Sequence, residues 1–263
     1  MELPRSETVA TRLTILDEIG STNDELVARA ARGDEPHFSV LVTGSQTAGR
    51  GRLGRVWVAP PGRTLAISVL LRPVGAGGEA LGFAALGWLP LLAGVAMAEA
   101  VASVVPKERV GLKWPNDVQV DGLKISGLLA ELLPSGGAVV LGAGLNLSMT
   151  REELPTETST SLVLSGATLR GEALADAVLS AYLENLRAMS DELASSGSRG
   201  IRRMVIDWCT TIGQEVRVEL PGGTAMFGRA TGIDADGRLE IARRADGGLT
   251  AVAAGDVTHL RYE

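Results

Sequence analysis

The segment V-G-L-K-W-P-N-D-V-Q-V-D-G-L-K-I-S-G-L-L-A-E-L-L, residues 110–133, decides the fold of this chain. Apolar runs typical of β-strands lie on both sides of Asp121-Gly122, and an Asp-Gly pair between such runs favours a two-residue hairpin turn. Another apolar run, at residues 138–147, follows a second Gly-containing turn. The pattern therefore predicts a meander of three antiparallel strands around Lys124.

Lys124 is an unusual residue for a strand whose neighbours are mostly apolar. The chain has 25 Lys and Arg residues, and only three of them are lysines. A lysine in such an arginine-rich background indicates a need for a compact ammonium group, although a lysine also protects edge strands from aggregation. The two-residue period of a strand predicts that Lys124 shares one face with Ser126 and Leu128, while Gly127 lies on the other.

The rest of the chain continues the alternation of strands and helices. Further strands are expected at residues 14–19, 39–43 and 65–71, and helices at 21–32, 172–193 and 202–211. The uncharged run at 80–98 is long enough to cross a membrane, but its internal glycines and the lack of flanking basic residues favour a buried helix that starts near Pro90. From residue 213, short β-like runs between Gly and Asp turns predict a small barrel-like domain. The expected domains are thus residues 1–212 and 213–263.

Composition excludes several classes of function. The net charge is −6, which counts against a protein that binds nucleic acid. Two histidines are too few for a His-ligated metal cluster and leave a Ser-His-Asp triad nearly excluded. The single cysteine, Cys209, rules out an internal disulfide and indicates a reducing compartment. The charged N-terminus resembles no secretory signal, so a cytoplasmic protein is expected.

Residues 46–57, Q-T-A-G-R-G-R-L-G-R-V-W, form a second conspicuous segment, which we call the arginine loop. It has no apolar face with which to bury itself. Glycine lets backbone amides approach a ligand closely, and arginine offers planar pairs of donors to carboxylate and phosphate. The composition indicates a loop that closes over an anion. A solvated basic loop and a phosphate-backbone contact to nucleic acid are the alternatives.

Four motifs occur in order along the chain. They are Ser21-Thr22-Asn23 at a predicted helix start, the arginine loop, Lys113-Trp114-Pro115-Asn116-Asp117 followed by Lys124, and Gly142-Ala143-Gly144-Leu145-Asn146 at a strand end. In this combination the sequence resembles the biotin–protein ligases. The motifs span about residues 14–148, and the β-rich tail is similar to the small C-terminal domain of that family. Four ordered motifs are far more specific than any one of them.

The resemblance implies a fold and a reaction. The fold would be α/β (α+β), a mixed sheet flanked by helices and related to the class II tRNA synthetases. Biotin and ATP, with Mg²⁺, would give biotinyl-AMP and pyrophosphate. A lysine of a biotin carboxyl carrier domain of an acyl-CoA carboxylase would then accept the biotinyl group.

The resemblance also implies roles for individual residues. The catalytic residues would be Lys124, Arg50, Arg52 and Asp117, where Asp117 either acts on the incoming amine or holds the metal. Biotin would contact polar, cationic or glycine positions, namely Ser21, Thr22, Asn23, Gln46, Gly49, Arg50, Gly51, Arg52, Lys124, Gly127 and Gly142. The nucleotide would contact Arg52, Trp57, Asn116, Lys124 and Asn146, with Trp57 stacked on adenine.

Two further expectations concern what the protein does not do. Some members of the family carry an N-terminal helix-turn-helix domain and act as repressors, but the about twenty residues before Ser21 are too few for such a domain. The sequence therefore predicts no direct repressor activity and no nucleic-acid partner. The nearest rival activity is that of a lipoate–protein ligase, which shares the fold and the adenylation chemistry. The oligomeric state stays open, with a monomer favoured over a dimer.

Overall fold

The computed structural model describes residues 1–33, 35–57, 59–75, 77–134, 136–220, 224–253 and 256–260. In these ranges the helices are α1 (Pro4–Val9), α2 (Thr22–Ala31), α3 (Phe83–Leu86), α4 (Leu89–Ala102), α5 (Gly171–Ser196) and α6 (Ser198–Trp208). The strands are β1 (Arg12–Leu16), β2 (Ser39–Thr43), β3 (Gly49–Arg50), β4 (Val56–Trp57), β5 (Thr64–Leu71), β6 (Val110–Lys113), β7 (Asp117–Val120), β8 (Leu123–Leu132), β9 (Val139–Asn146), β10 (Glu215–Glu219), β11 (Ala225–Ile233), β12 (Leu239–Arg243), β13 (Leu249–Val252) and β14 (Asp256–His259).

A seven-stranded mixed sheet carries the larger part of the molecule. Its strand order is β1-β2-β5-β9-β8-β7-β6, with β1 and β2 parallel and the other neighbours antiparallel. The predicted meander is the β7-β8-β9 part of this sheet. Asp121 and Gly122, with φ of 51° and 75°, form the hairpin turn between β7 and β8, as the sequence predicted. The α/β fold with a mixed sheet flanked by helices is confirmed.

The apolar run at residues 80–98 folds into the core. The helical segment Phe83–Ala102 is long and apolar enough to span a membrane, but 72% of its 18-residue apolar window is buried in the protein. The chain divides it into α3 and α4, and α4 packs on α5 and the sheet. A Cβ at Gly94 would lie 2.6 Å from Leu112 Cδ1, so this glycine lets α4 lie close to β6. Packing against protein therefore accounts for the hydrophobicity of the helix.

A five-stranded antiparallel sheet forms the C-terminal part, in the order β13-β12-β11-β10-β14. It docks through backbone carbonyls on two buried tryptophans: Trp88 Nε1 donates to Ala235 O at 3.2 Å, and Trp114 Nε1 to Gly237 O at 3.3 Å. Val216 and Ile241 of this sheet belong to the same buried hydrophobic cluster as α4 and the large sheet. The antiparallel β-domain expected from the sequence is present, and it shares a core with the rest of the chain.

One prediction about the meander was wrong. The register of the pairing between β7 and β8 shifts by one residue, so that Gln119 pairs with Lys124 but Val118 pairs with Ser126. This β-bulge places an extra residue, Ile125, in β8 and reverses the face on which Lys124 lies. Lys124 pairs with Gln119 and Gly127 pairs with Asp117, so these two residues share a face, whereas Ser126 pairs with Val118 and lies with Leu128 on the other face.

Several elements differ from their predicted bounds. The first strand ends at Leu16 instead of residue 19, and the last helix of the large domain covers Ser198–Trp208 instead of 202–211. Four elements of the described residues were not predicted: α1, α3, the β3–β4 hairpin and β14. The short α1 depends on a distant partner, because Asp176 of α5 accepts from the backbone N–H groups of Arg5 and Ser6 at 3.0 and 2.9 Å. Such long-range support leaves no local pattern in the sequence.

Candidate active site

A cavity of about 400 Å³ lies between the large sheet, the arginine loop and β14. That volume suits a small organic ligand. Among the described residues that line it, five are cationic and one is a carboxylate: Arg50, Arg52, Arg55, Lys113, Lys124 and Asp117. The excess of positive charge favours anionic ligands. Of the residues predicted for the site, all but Gly49 line this cavity.

Lys124 and Asp117 form an ion pair in the cavity, with 2.6 Å between Nζ and Oδ1. Gly127 lies directly opposite Asp117 in the β7–β8 ladder. A Cβ at Gly127 would come within 3.0 Å of Lys124 Nζ, so glycine leaves room for the ammonium group. The segment after β9 fixes the Lys124 backbone, since Thr158 O accepts from Lys124 N and Thr160 N donates to Lys124 O, both at 2.8 Å.

The arginine loop has more local structure than its composition indicates. Gly49–Arg50 and Val56–Trp57 pair as the two short strands of a hairpin, and a 3₁₀ turn at Arg52–Gly54 closes it. A Cβ at Gly49 would lie 2.6 Å from Trp57 O, so this glycine is required by the hairpin itself. Gly49 thus serves the loop and does not line the cavity, unlike the other residues predicted to bind biotin.

Arg52 and Asn116, from two separate motifs, contact each other. Arg52 NH1 donates to Asn116 Oδ1 at 2.8 Å, and Asn116 Nδ2 donates to Leu128 O at 2.9 Å. Asn116 therefore links the arginine loop to β8. This contact places a guanidinium group near the Lys124–Asp117 pair.

Arg50 is directed to two carboxylates. Its NH2 group donates to both oxygens of Glu131, at 2.7 and 3.0 Å, and also contacts Asp24 Oδ1. The hydrogen bond with Glu131 is the main reason why the pKa of Arg50 is raised above its ordinary value. Arg50 was predicted to be catalytic and to contact biotin; in this structure its guanidinium lines the cavity and holds α2 and β8 to the loop.

A chain of hydrogen-bonded polar side chains, buried except for the half-buried Gln46, lies at one side of the cavity. Gln46 Oε1 accepts from the backbone N–H of Thr22 at 2.8 Å and from its hydroxyl at 3.0 Å. Ser68 Oγ lies 2.8 Å from Thr22 Oγ1 and 2.6 Å from Asn23 Oδ1. Ser21 caps α2, and its Oγ accepts from Asp24 N at 3.3 Å. The helix start predicted at Ser21-Thr22-Asn23 is therefore present, and Thr22 lies in contact with Gln46, which was also predicted to contact biotin.

Ser68 and Glu131 were missed by the sequence reasoning. Ser68 lies in the predicted strand at residues 65–71, and its hydroxyl is fully buried. Glu131 lies near the end of β8 and accepts from Asn23 Nδ2 at 2.9 Å. The available signal was a polar residue within an apolar strand. That signal does not say which partner the residue meets.

The two glycines of the strand-end motif make room for side chains of the protein. A Cβ at Gly142 would lie 2.4 Å from Asn23 Oδ1, and one at Gly144 would lie 2.5 Å from Trp57 Cε2. Asn23 therefore packs on Gly142, and the indole ring of Trp57 packs on Gly144. The first glycine shapes the polar end of the cavity and the second shapes the end beneath the arginine loop.

Asn146 lies at the end of β9 and is buried. Its Nδ2 donates to Thr160 O at 2.9 Å, which ties β9 to the segment after it. That segment also lines the cavity through Thr156, Thr158 and Ser159, none of which the sequence reasoning had singled out. A run of Thr and Ser residues without regular structure carries only a weak signal of its own.

The fold and site define a ligase of the biotin and lipoate class. Residues 19–147 match the Biotin/lipoate A/B protein ligase family, and residues 211–260 match the Biotin protein ligase C terminal domain. A biotin–[acetyl-CoA-carboxylase] ligase of Mycobacterium tuberculosis is 39% identical over 256 residues, which cover 95% of this chain and 90% of that protein.

Two other comparisons agree with this class. The bifunctional ligase/repressor BirA of Escherichia coli is 31% identical over 86% of this chain and 68% of that protein. A solved structure, the biotin protein ligase from Aquifex aeolicus in complex with biotin and ATP, superimposes with a TM-score of 0.73 and 28% identity; the match covers 96% of this chain and 100% of that one. The present chain belongs to the biotin protein ligase family and is a ligase enzyme.

Proposed function

We propose that the chain activates biotin with ATP and then transfers it to a protein lysine. A biotin carboxylate oxygen attacks the α-phosphorus of ATP, the bond from that phosphorus to the β-phosphate breaks, and pyrophosphate leaves. The amine of a lysine in a biotin carboxyl carrier domain of an acyl-CoA carboxylase then attacks the carbonyl carbon of biotinyl-AMP, and AMP leaves. The observation that carries this proposal is the Lys124–Asp117 pair inside an electropositive cavity.

The first step brings two anions together, and cations must offset their repulsion. Lys124 and Arg52 are the residues for this role, because both line the cavity and Asn116 links Arg52 to β8, the strand that carries Lys124. Preorganised cations stabilise the charge that develops on the transferring oxygens without further reorganisation. Arg52 stays charged at any physiological pH, and the backbone contacts of Thr158 and Thr160 hold Lys124 in place.

The polar chain beneath the cavity suits the head group of biotin. A ureido group offers one carbonyl acceptor and two N–H donors, and Thr22, Asn23 and Gln46 present hydroxyl and carboxamide groups to the cavity. Ser68 supports this set from below through Thr22 and Asn23. The remaining end, with Trp57, Asn116 and Asn146, would take the nucleotide, and the Trp57 ring offers a stacking surface for adenine.

Magnesium fits the site as an ion carried mainly by ATP. Mg²⁺ is usually held by one or two carboxylates together with substrate phosphates. Within the described ranges, no cluster of three or more His, Cys, Asp or Glu side chains is placed to hold a metal. Asp117, the one carboxylate among the described lining residues, would be the protein ligand. The ion would neutralise part of the negative charge of the phosphates.

In the second step Asp117 is the residue that could act on the incoming amine. A lysine amine must lose a proton to become a nucleophile. Asp117 Oδ1 already forms an ion pair with an ammonium group, that of Lys124, so a second ammonium group, that of an acceptor lysine, suits the same position. The role of Asp117 as metal ligand and its role toward the amine remain alternatives in this proposal.

Lipoate is the second candidate substrate, because the description of the family that matches residues 19–147 covers both ligases. The match of residues 211–260 to a C-terminal domain of biotin protein ligases supports biotin instead. The experiment is ATP–pyrophosphate exchange by the purified protein with biotin or lipoate as the acid. Exchange with biotin and not with lipoate supports the proposal, and exchange with lipoate alone overturns it.

The remaining parts of the proposal concern setting and partners. The chain would act in the cytoplasm, a setting supported by its single cysteine and by the burial of its apolar helix. The oligomeric state stays open, with a monomer favoured over a dimer. It would have no direct role as a DNA-binding repressor, which its net charge of −6 supports. A sequence-dependent, salt-resistant shift of operator DNA by the pure protein would contradict that part alone.

A further inference from the structure

Glu131 is a carboxylate that the proposed reaction does not use. Its side chain on β8 is 26% exposed. Oε1 accepts from Asn23 Nδ2 at 2.9 Å and from Arg50 NH2 at 2.7 Å, and Oε2 lies 3.0 Å from the same Arg50 nitrogen. One side chain thereby joins the start of α2 to the arginine loop.

The contacts on both sides of Glu131 lead to opposite parts of the cavity. On one side, Asn23 packs on Gly142 and reaches Thr22 through Ser68, which is the polar end proposed for biotin. On the other side, Arg50 lies in β3, the first strand of the loop hairpin. The carboxylate is therefore placed where the position of the loop and the arrangement of the polar end depend on each other.

We propose that Glu131 is a positioning residue that holds Asn23 and Arg50 together and so keeps the arginine loop closed over biotin and biotinyl-AMP. This inference rests on the proposed function. Glu131 acts through Arg50, whose task is to hold the loop, while Arg52 and Lys124 carry the charge at the reacting oxygens. The hydrogen bonds from Arg50 are charge-assisted and reach both oxygens of Glu131, and such bonds are stronger than those between neutral groups.

The test uses Glu131→Gln, which keeps an acceptor for Asn23 but removes the charge that Arg50 meets. The matched control is Glu153→Gln, because Glu153 is also a partly exposed glutamate that pairs with an arginine, Arg63, outside the cavity lining. Equal midpoints of thermal unfolding in the two variants would exclude a folding defect as the cause of any difference between them. Pyrophosphate exchange, retention of biotinyl-AMP and tryptic cleavage in the loop are the measurements.

For Glu131→Gln, the biotin KM should rise and the half-life of bound biotinyl-AMP should fall, each by about tenfold, as expected for a lost charged hydrogen bond. The kcat at saturating biotin should stay within about threefold of the wild-type value, because no group at the reacting atoms has changed. Glu153→Gln should match the wild type in all of these measurements.

A double-mutant cycle decides whether Glu131 acts through Arg50. In an Arg50→Ala background, Glu131→Gln should change the biotin KM by less than about twofold, because the partner is already gone. The same tenfold change with and without Arg50 would overturn the inference. A lower biotin KM in Glu131→Gln would also overturn the inference, because it would mean that Glu131 keeps Arg50 away from biotin.

The cleavage assay separates this inference from the proposed function. Trypsin should cut the loop of free Glu131→Gln faster than that of the wild type, whatever the substrate of the enzyme is. If the wild type shows no biotin-dependent pyrophosphate exchange, the proposed function fails. The cleavage result still tests whether Glu131 holds the loop. Equal cleavage of Glu131→Gln and wild type would overturn the inference.

Discussion

Lys124 Nζ lies 2.6 Å from Asp117 Oδ1, although the two residues are not direct partners in the β7–β8 ladder. The β-bulge at Ile125 turns Lys124 onto the face of Asp117 and Gly127. Without the extra residue, the ammonium group would point to the opposite side of the sheet. The chemistry proposed for the cavity thus depends on one irregularity in an otherwise regular meander.

Lys124→Ala and Lys124→Arg should both fold and lose adenylate formation. We expect biotin-dependent pyrophosphate exchange to fall by about 100-fold or more, as when one preorganised donor of charge is removed. Arginine should not restore the rate, because its planar fork cannot reproduce a compact ammonium group. Lys107→Ala is the control, since Lys107 does not line the cavity. Near-normal exchange in Lys124→Ala would disprove the assignment.

The two glycines of β9 should affect different substrates. Gly144→Ala would place a methyl group against the Trp57 ring, so we expect the KM for ATP to rise by about tenfold through lost stacking. Gly142→Ala would displace Asn23 instead, and we expect the KM for biotin to rise by about tenfold. Each variant is the control for the other. A rise in the same KM for both would show that the cavity is not divided as proposed.

Arg52→Gly should release the reactive intermediate. We expect the variant to form some biotinyl-AMP and to lose it to solvent about tenfold faster, because one charge-assisted contact is gone. Released adenylate would then biotinylate lysines of an added bystander protein. Arg63→Gly is a suitable control, since Arg63 pairs with Glu153 and lies outside the cavity lining. Wild-type retention of adenylate by Arg52→Gly would contradict the role of Arg52.

The arginine loop should become more ordered when ligands bind. Its arginines repel one another where no anion is present, and its glycines make ordering costly in entropy. We expect trypsin to cut free protein within residues 46–57 and to cut it several times more slowly with biotin and MgATP, as the bound state gains charged contacts. Equal cleavage with and without ligands would show that the hairpin is already rigid in the free protein.

A chain that ends at Thr211 should be less stable. Trp88 and Trp114 are almost fully buried, and their indole N–H groups donate to the C-terminal sheet. Loss of that sheet exposes both rings and part of the shared core, so we expect the thermal midpoint to fall by roughly 10 °C. A chain that ends at Leu260 serves as the control. An unchanged midpoint together with full carrier biotinylation would make the β-domain dispensable.

Much of the secondary structure could be read from local patterns. The strand at Ser39–Thr43, the Asp121-Gly122 turn and the strand at residues 65–71 were predicted with little or no error, because each is set by nearby residues and turn chemistry. The irregular parts were not predictable in this way. The bulge in β8 needs knowledge of the β7 register, and α1 needs Asp176 of α5.

The sequence by itself determined which chemical groups the protein would bring to its site. Arginines with glycines, the Lys-Trp-Pro-Asn-Asp motif and a strand-end asparagine each indicate a chemistry, because residue type sets charge and hydrogen-bonding capacity. Fourteen of the fifteen residues predicted for the site line one cavity. The motifs therefore predicted correctly which residues lie together at the cavity.

Only the tertiary structure decided what those groups contact. Ser68 is 45 residues from Asn23 in sequence, and Glu131 is 81 residues from Arg50. Such pairs form when the sheet brings distant strands together, and a local pattern contains no record of them. Gly142 and Gly144 illustrate the same limit, since each makes room for a side chain from another element, Asn23 or Trp57. A glycine in a strand indicates that another group lies close to the backbone there, and only the packing decides which side chain that is.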